Sequence, residues 1–303
     1  MSCPRRTTAS SARCAREADA WSRWARGGGG LDGLVVWFGT DPSELQGSLD
    51  AHPGVSWVQL PSAGIEKYSE SLRAHPELDW TSAKGAYAEP VAEHALALTL
   101  ALLRLLPDRA RATSWGEVGG TSLHGLEVVV IGAGGVGLEI VRMVKTFRTT
   151  VTVVRRTGAP AEGADRTVTS DRLTDVLADA DVVVVAAALT DDTRRLLDAD
   201  AIGLLRPHAV VVNIARGGLI DTDALVAALH EGRLAGAALD VTDPEPLPDG
   251  HPLWTEPRAI ITPHTADTPA TIEPLLAARI GRNVAARLAG SPLEGVVDPR
   301  AGY

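Results

Sequence analysis

The chain has 303 residues, 45% of them apolar, and a formal net charge of −9. That length suits two domains better than one core, and the acidic balance gives no electrostatic support for a nucleic-acid partner. No apolar stretch reaches the roughly 18–20 uncharged residues of a membrane span, and two cysteines, Cys3 and Cys14, make neither a disulfide framework nor a metal pattern. A soluble, cytoplasmic protein without a metal site is therefore expected.

Residues 1–30 fit no element. They hold six arginines (Arg5, Arg6, Arg13, Arg16, Arg23 and Arg26), both cysteines and four successive glycines, Gly27 to Gly30. The Arg/Ser bias faintly resembles a transit segment, whereas a secretory signal needs an apolar stretch that is missing. Only three lysines (Lys67, Lys84 and Lys145) occur among 29 basic residues, which points to GC-rich coding DNA. Out-of-frame reading of such DNA yields Arg, Ala, Ser, Gly and Cys. The segment is read as a wrong start or frameshift over a lost first strand and helix, and an intact mass matching the full chain would sink that hypothesis.

Residues 34–38 read as a short buried strand, followed by the turn signal Gly39-Thr40-Asp41-Pro42 and a helix to Leu49. Residues 55–60 read as a second strand, ended by Pro61-Ser62-Ala63-Gly64. Strands alternating with helical patterns indicate a parallel α/β unit. Residues 89–106 form the strongest helix, with Pro90 in its first turn and Leu, Ala and Val on both faces. A helix apolar nearly all round is expected to be buried, here between domains or subunits. A polar stretch, 107–124, comes next.

Val128-Val129-Val130-Ile131 then runs straight into Gly132-Ala133-Gly134-Gly135-Val136-Gly137, and a helical stretch follows over 138–147. A strand, a tight glycine turn and a helix N-terminus in that order make a dinucleotide pyrophosphate site. Gly132 permits the turn, Gly134 lets backbone approach the phosphates, and Gly137 lets helix and strand pack closely. The helix offers free N–H groups and the positive end of its dipole to the anion, with Gly135 and Val136 in its first turn. A glycine-rich turn that binds nothing shares the spacing; the flanking strand and helix favour the site.

Further strands are expected at 151–154, 181–187, 209–214, 235–241 and 259–262, with helical patterns at 173–178, 193–197 and 221–230. The last begins at Asp221-Thr222-Asp223, a good N-cap signal, and a helix over 271–289 closes the chain. No repeat or low-complexity linker appears. The second domain is thus expected to be discontinuous, residues 1–88 plus 270–303, around a dinucleotide-binding domain of residues 89–269. The expected fold class is α/β: a doubly wound parallel sheet (Rossmann) with a second, smaller flavodoxin-like α/β substrate domain.

Ligands of open parallel sheets bind beyond the carboxyl ends of strands, and three ionisable side chains fall there on successive strands. Arg216 follows the strand ending near Ala215, Glu245 follows Leu239-Asp240-Val241, and His264 follows Thr262-Pro263. Arginine grips a carboxylate bidentately, and histidine is the natural proton shuttle, its imidazolium stabilised by a neighbouring carboxylate. Taken singly, each is an ordinary surface or loop residue. With a dinucleotide they are the equipment for hydride transfer on a 2-hydroxy or 2-oxo acid.

Three blocks also carry a resemblance: Asn213-Ile-Ala-Arg-Gly-Gly-Leu-Ile-Asp221, Leu239-Asp-Val-Thr-Asp-Pro-Glu-Pro-Leu-Pro248, and Thr262-Pro-His264. In this order they resemble the signature blocks of the D-isomer-specific 2-hydroxyacid dehydrogenases, over the chain from about Leu34 onward. The resemblance implies Arg216 as binder of the substrate carboxylate and carbonyl, His264 as acid/base and Glu245 as its partner. It implies that Asp240 contacts the nicotinamide carboxamide, with Ala215 beside the cofactor. Residues 87–96 resemble the family's helix that opens the nucleotide domain and contributes to a homodimer interface. Ser62-Ala63-Gly64 resembles the turn whose backbone N–H groups hold the substrate carboxylate. Two departures stand out: Thr265-Ala266-Asp267 replaces the usual glycines after the histidine, and Ala188-Leu-Thr190 stands where a proline usually precedes Leu-Thr.

Cofactor choice rests on the end of one strand. NAD sites place a carboxylate roughly twenty residues past the glycines, on the ribose hydroxyls. Here Arg155 and Arg156 stand there, Arg155 eighteen residues past Gly137. Arginine attracts a 2′-phosphate, so NADP(H) is expected in preference to NAD(H), the alternative being an arginine that stacks on adenine without discriminating. The expected function is reduction of a small 2-oxo acid of the glyoxylate or hydroxypyruvate class. The alternatives are another 2-hydroxyacid substrate such as phosphoglycerate, a non-enzymatic dinucleotide-sensing protein, or a frameshifted product that turns over nothing. A formate-type enzyme is expected to lack Glu245, and no appended regulatory domain is expected after the closing helix.

Overall fold

The computed structural model describes residues 32–299; the expectations about residues 1–30 lie outside the described residues. These fall into two compact units, one of residues 32–84 and 276–299, the other Gly85–Leu275.

The smaller unit holds three parallel strands in sequential order, β1 (Gly33–Val35), β2 (Trp57–Gln59) and β3 (Asp79–Thr81), with Leu34, Val58 and Trp80 in register. Between β1 and β2 lies helix α1 (Pro42–Ala51). Its start is set by Asp41, which accepts the Ser43 N–H at 2.9 Å while Glu44 reaches back to the Asp41 N–H, a capping box with proline in the first turn. A short helix α2 (Ser69–Ala74) precedes β3. Leu45, Leu49, Val58, Leu60, Leu72 and Trp80 build the core. Strand β3 has no counterpart in the sequence reading, because Asp-Trp-Thr offers one apolar residue and no run.

The larger unit begins with α3 (Ala88–Leu103) and a short α4 (Leu106–Arg111). Helix α4 lies in the stretch read only as polar; Leu105, in the left-handed region at φ 53°, breaks it from α3. A seven-stranded sheet follows, every pairing parallel, in the order β10-β9-β8-β7-β4-β5-β6. Its strands are β4 (Glu127–Ile131), β5 (Thr150–Arg155), β6 (Arg166–Thr169), β7 (Val182–Val185), β8 (Val210–Asn213), β9 (Gly236–Leu239) and β10 (Ala259–Ile261). The order reverses between β4 and β7, the switch point of a doubly wound sheet. Val128 and Val130 face one core while Val129 and Ile131 face the other, and Val182 to Val185 alternate likewise. Such β-branched runs are what a sheet covered on both faces requires.

Helices α5 (Gly135–Lys145), α6 (Thr174–Leu177), α7 (Ala199–Gly203) and α8 (Thr222–His230) alternate with the strands, and α9 (Pro269–Leu288) runs on into the smaller unit. Helix α3 packs on α5, β8 and β9 of its own unit, burying Ala92, Ala95, Leu98 and Leu102. Residues 193–197, read as helical, form turns. Arg195 is left-handed at φ 52°, and Leu197 is held by backbone bonds to Leu219 and Asp221. The helix starts two residues later, where Asp198 caps Ala201.

Candidate active site

The glycine turn has the geometry its spacing requires. Gly132 sits at φ 114°, where a β-carbon would lie 2.5 Å from the Ala186 carbonyl oxygen, and a β-carbon on Gly137 would collide with the Gly132 carbonyl. At Gly134 a β-carbon would meet nothing within 4 Å. Gly134 is also the N-cap of α5, and no side chain caps that helix. Open space beside uncapped N–H groups at a helix start fits a phosphate, so these residues suit the pyrophosphate of a dinucleotide. Gly135 and Val136 form the first turn. Arg155 ends β5, half-buried, with Nη1 donating to the Ala159 carbonyl at 3.2 Å, and Arg156 beside it is exposed.

At the carboxyl end of β8, Asn213 is fully buried and staples the next turn. Its Nδ2 donates to the Arg216 carbonyl at 2.9 Å and its Oδ1 accepts the Ala215 N–H at 3.0 Å. Gly217 follows of necessity: a β-carbon there would overlap the Thr242 carbonyl group. The loop bearing Arg216 and the loop bearing Glu245 can thus approach only through glycine. Arg216 is half-buried, with Nη1 donating to the Ala215 carbonyl at 2.7 Å.

His264 and Glu245 meet directly. The His264 Nδ1 lies 2.7 Å from Glu245 Oε1, and the two side chains are 44% and 42% exposed, within reach of a ligand. Glu245 Oε2 also accepts the Thr242 N–H at 3.4 Å. His264 holds a left-handed backbone, φ 51°, which costs an L-residue about 1–2 kcal/mol. Asp240, at the end of β9, holds that turn: its carbonyl accepts the His264 N–H at 2.8 Å, and its carboxylate accepts Thr262 Oγ1 at 2.6 Å and the N–H groups of Thr265 and Ala266 at 2.9 and 3.1 Å.

Burial pushes the Asp240 carboxyl up, but hydrogen bonds from His94, Thr262, Thr265 and Ala266 outweigh it and hold the group at about 2, below the ordinary 3.8. A depressed carboxyl stabilises the fold above its unfolded value and loses that contribution as pH falls through the folded one. The stability lead of wild type over D240N is therefore expected to shrink by about 2 kcal/mol between pH 5 and pH 2. Parallel denaturation curves at both pH values test this, and a constant lead would contradict it. Asp267 differs: burial pushes its carboxyl up, His264 and Arg216 pull it down, and Asp240 pushes it up again.

In the smaller unit Ser62-Ala63-Gly64 follows the carboxyl end of β2. Ser62 Oγ donates to the Gly64 carbonyl at 2.6 Å, the Ser62 carbonyl accepts the Ala83 N–H at 3.0 Å, and Ala63 is exposed. Sequence reasoning passed over the part played by Thr262 and His94 in holding the His264 turn. Its one signal was a histidine on a helix dominated by Ala and Leu. Among the described residues no helix is long and apolar enough to cross a membrane, and no cluster of three or more metal-ligating side chains occurs.

Residues 96–266 match the model of the D-isomer specific 2-hydroxyacid dehydrogenase NAD binding domain. An uncharacterized protein of Corynebacterium melassecola is 41% identical over 84% of this chain and 86% of its own. A glyoxylate reductase of Aeropyrum pernix is 30% identical over 72% of this chain and 69% of its own. A D-3-phosphoglycerate dehydrogenase of Mycobacterium tuberculosis is 32% identical over 80% of this chain, which spans about half, 47%, of that relative. Among solved structures, a D-isomer specific 2-hydroxyacid dehydrogenase of Xanthobacter autotrophicus in complex with NADPH and MES superposes with a TM-score of 0.78 at 29% identity, over 90% of this chain and 85% of that one. The chain belongs to the D-isomer specific 2-hydroxyacid dehydrogenase family of NAD(P)-dependent oxidoreductases acting on CH–OH donors.

Proposed function

We propose that this protein is an NADP(H)-preferring reductase of small 2-oxo acids such as glyoxylate or hydroxypyruvate. The observation that carries the reading is the 2.7 Å pair of His264 Nδ1 and Glu245 Oε1 on an accessible edge. The bound dinucleotide supplies the hydride. Arg216 binds the substrate carboxylate, its backbone fixed by Asn213 and Gly217. Glu245 accepts a hydrogen bond from the Nδ1–H of His264, which keeps that proton on Nδ1, leaves Nε2 to face the ligand and stabilises the imidazolium. His264 then gives its Nε2 proton to the carbonyl oxygen as that oxygen becomes an alkoxide. Gly132, Gly134, Gly135, Val136 and Gly137 would hold the pyrophosphate; Ala215 and Asp240 would lie toward the nicotinamide.

Asp267 supports a small, unphosphorylated substrate, since a half-buried carboxyl near His264 and Arg216 adds no cation for a phosphate. A homodimer belongs to this reading because α3 resembles the family helix that contributes to such an interface; Leu106, just after it, is an exposed apolar residue.

Arg155 and Arg156 carry the cofactor preference, because the end of β5 offers guanidinium groups where an NAD site offers a carboxylate. Arg155→Asp is expected to lower kcat/KM for NADPH relative to NADH by about tenfold or more, the loss of a charge-assisted hydrogen bond. Initial rates with each cofactor measure that ratio, and an unchanged value would assign the phosphate to another residue.

A further inference from the structure

Asp240 keeps a carboxylate in a position only 2% exposed, and such a group persists only when donors surround it. Three donors come from the turn it anchors, Thr262 Oγ1 and the N–H groups of Thr265 and Ala266. The fourth comes from a different element. His94 on α3 places Nε2 3.3 Å from Asp240 Oδ1 and 3.1 Å from Thr262 Oγ1.

An inventory of protons gives the direction of these bonds. The Asp240 carboxylate only accepts. The Thr262 hydroxyl has a single proton, and its 2.6 Å bond delivers that proton to Asp240. His94 Nε2 is therefore protonated and donates to the same two oxygens. The donors close around the turn from Thr262 to Ala266, whose middle residue is His264 in its left-handed conformation. With Nδ1 on Glu245, any tilt of this turn moves His264 Nε2 from the atom it must protonate.

We infer that His94 is a positioning residue for the reaction: acting through Asp240 and Thr262, it fixes from helix α3 the turn that aims His264. The inference rests on the reading of His264 as the general acid. A histidine serving only as packing would tolerate an apolar side chain of similar bulk. A positioning histidine requires an N–H at the place of Nε2, which glutamine supplies with its side-chain amide and the shorter asparagine does not.

The test compares wild type with full-length H94L, H94Q and H94N. NADPH oxidation with a 2-oxo acid gives kcat and KM, and fluorescence titration gives the dissociation constant for NADPH. Because a displacement of about 1 Å costs about 10²-fold in rate, H94L is expected to lose roughly 10- to 100-fold in kcat while binding NADPH as wild type does. H94Q is expected to recover most of that loss, and H94N is not. Full activity in H94L overturns the inference, and so does a fall in H94Q equal to that in H94N, the comparison that decides if H94L does not fold. A wild type inactive on every 2-oxo acid overturns the His264 reading as well, whereas an active wild type with an unimpaired H94L overturns the His94 role alone.

Discussion

Alanine at position 264 is expected to lower kcat by about 10²–10⁴-fold, the range a positioned general acid contributes, while NADPH binding stays within about twofold of wild type. The separation follows from the architecture. The glycine turn between β4 and α5 is built from residues 128–145, and none of its close contacts involves the His264 turn. His264 is instead held by β9 and β10 through Asp240 and Thr262, and its imidazole is exposed enough to meet a ligand. Removing the ring leaves Glu245 solvated, not stranded in a core, so the protein should keep its melting temperature. A variant that lost cofactor binding and turnover together would point to a disturbed fold; one that kept its turnover would remove His264 from the chemistry.

Arg216→Lys is expected to be nearly as damaging despite preserving the charge. A guanidinium grips a carboxylate through two parallel N–H donors, which an ammonium cannot reproduce. Losing one charge-assisted hydrogen bond to the substrate costs about 3 kcal/mol, or roughly 10²-fold in kcat/KM for the 2-oxo acid. The backbone here has no freedom to compensate. Asn213 pins the Arg216 carbonyl, and Gly217 is wedged against Thr242. Steady-state kinetics with the oxo acid varied at saturating NADPH would show the loss, and a lysine variant with wild-type kcat/KM would take the substrate carboxylate away from this residue.

Legibility in the sequence followed how local each cause was. The valine runs of β4, β7 and β8 and the Gly132 to Gly137 turn announce themselves, because strand propensity and glycine spacing are properties of adjacent residues. Asp221 was readable as an N-cap for the same reason, and it accepts the Ala224 N–H at 3.1 Å. Strand β6 was missed because Arg-Thr-Val-Thr at a sheet edge buries only Val168. Residues 193–197 carry a helix-like spacing yet form turns, because local spacing cannot foresee that the backbone of Leu197 bonds to Leu219 and Asp221. Within the candidate site, the residue types and their order were legible, whereas the Asp240, Thr262 and His94 cluster was not. His94 and Thr262 are 168 residues apart, and no local pattern records that the fold brings them together.

The central claim is tested most directly by following nicotinamide absorbance with purified full-length protein, offering NADPH and NADH separately against glyoxylate, hydroxypyruvate and a bulkier 2-oxo acid. The expected result is oxidation of NADPH in preference to NADH, with a small 2-oxo acid turned over fastest. Binding of either cofactor without turnover of any 2-oxo acid would contradict it.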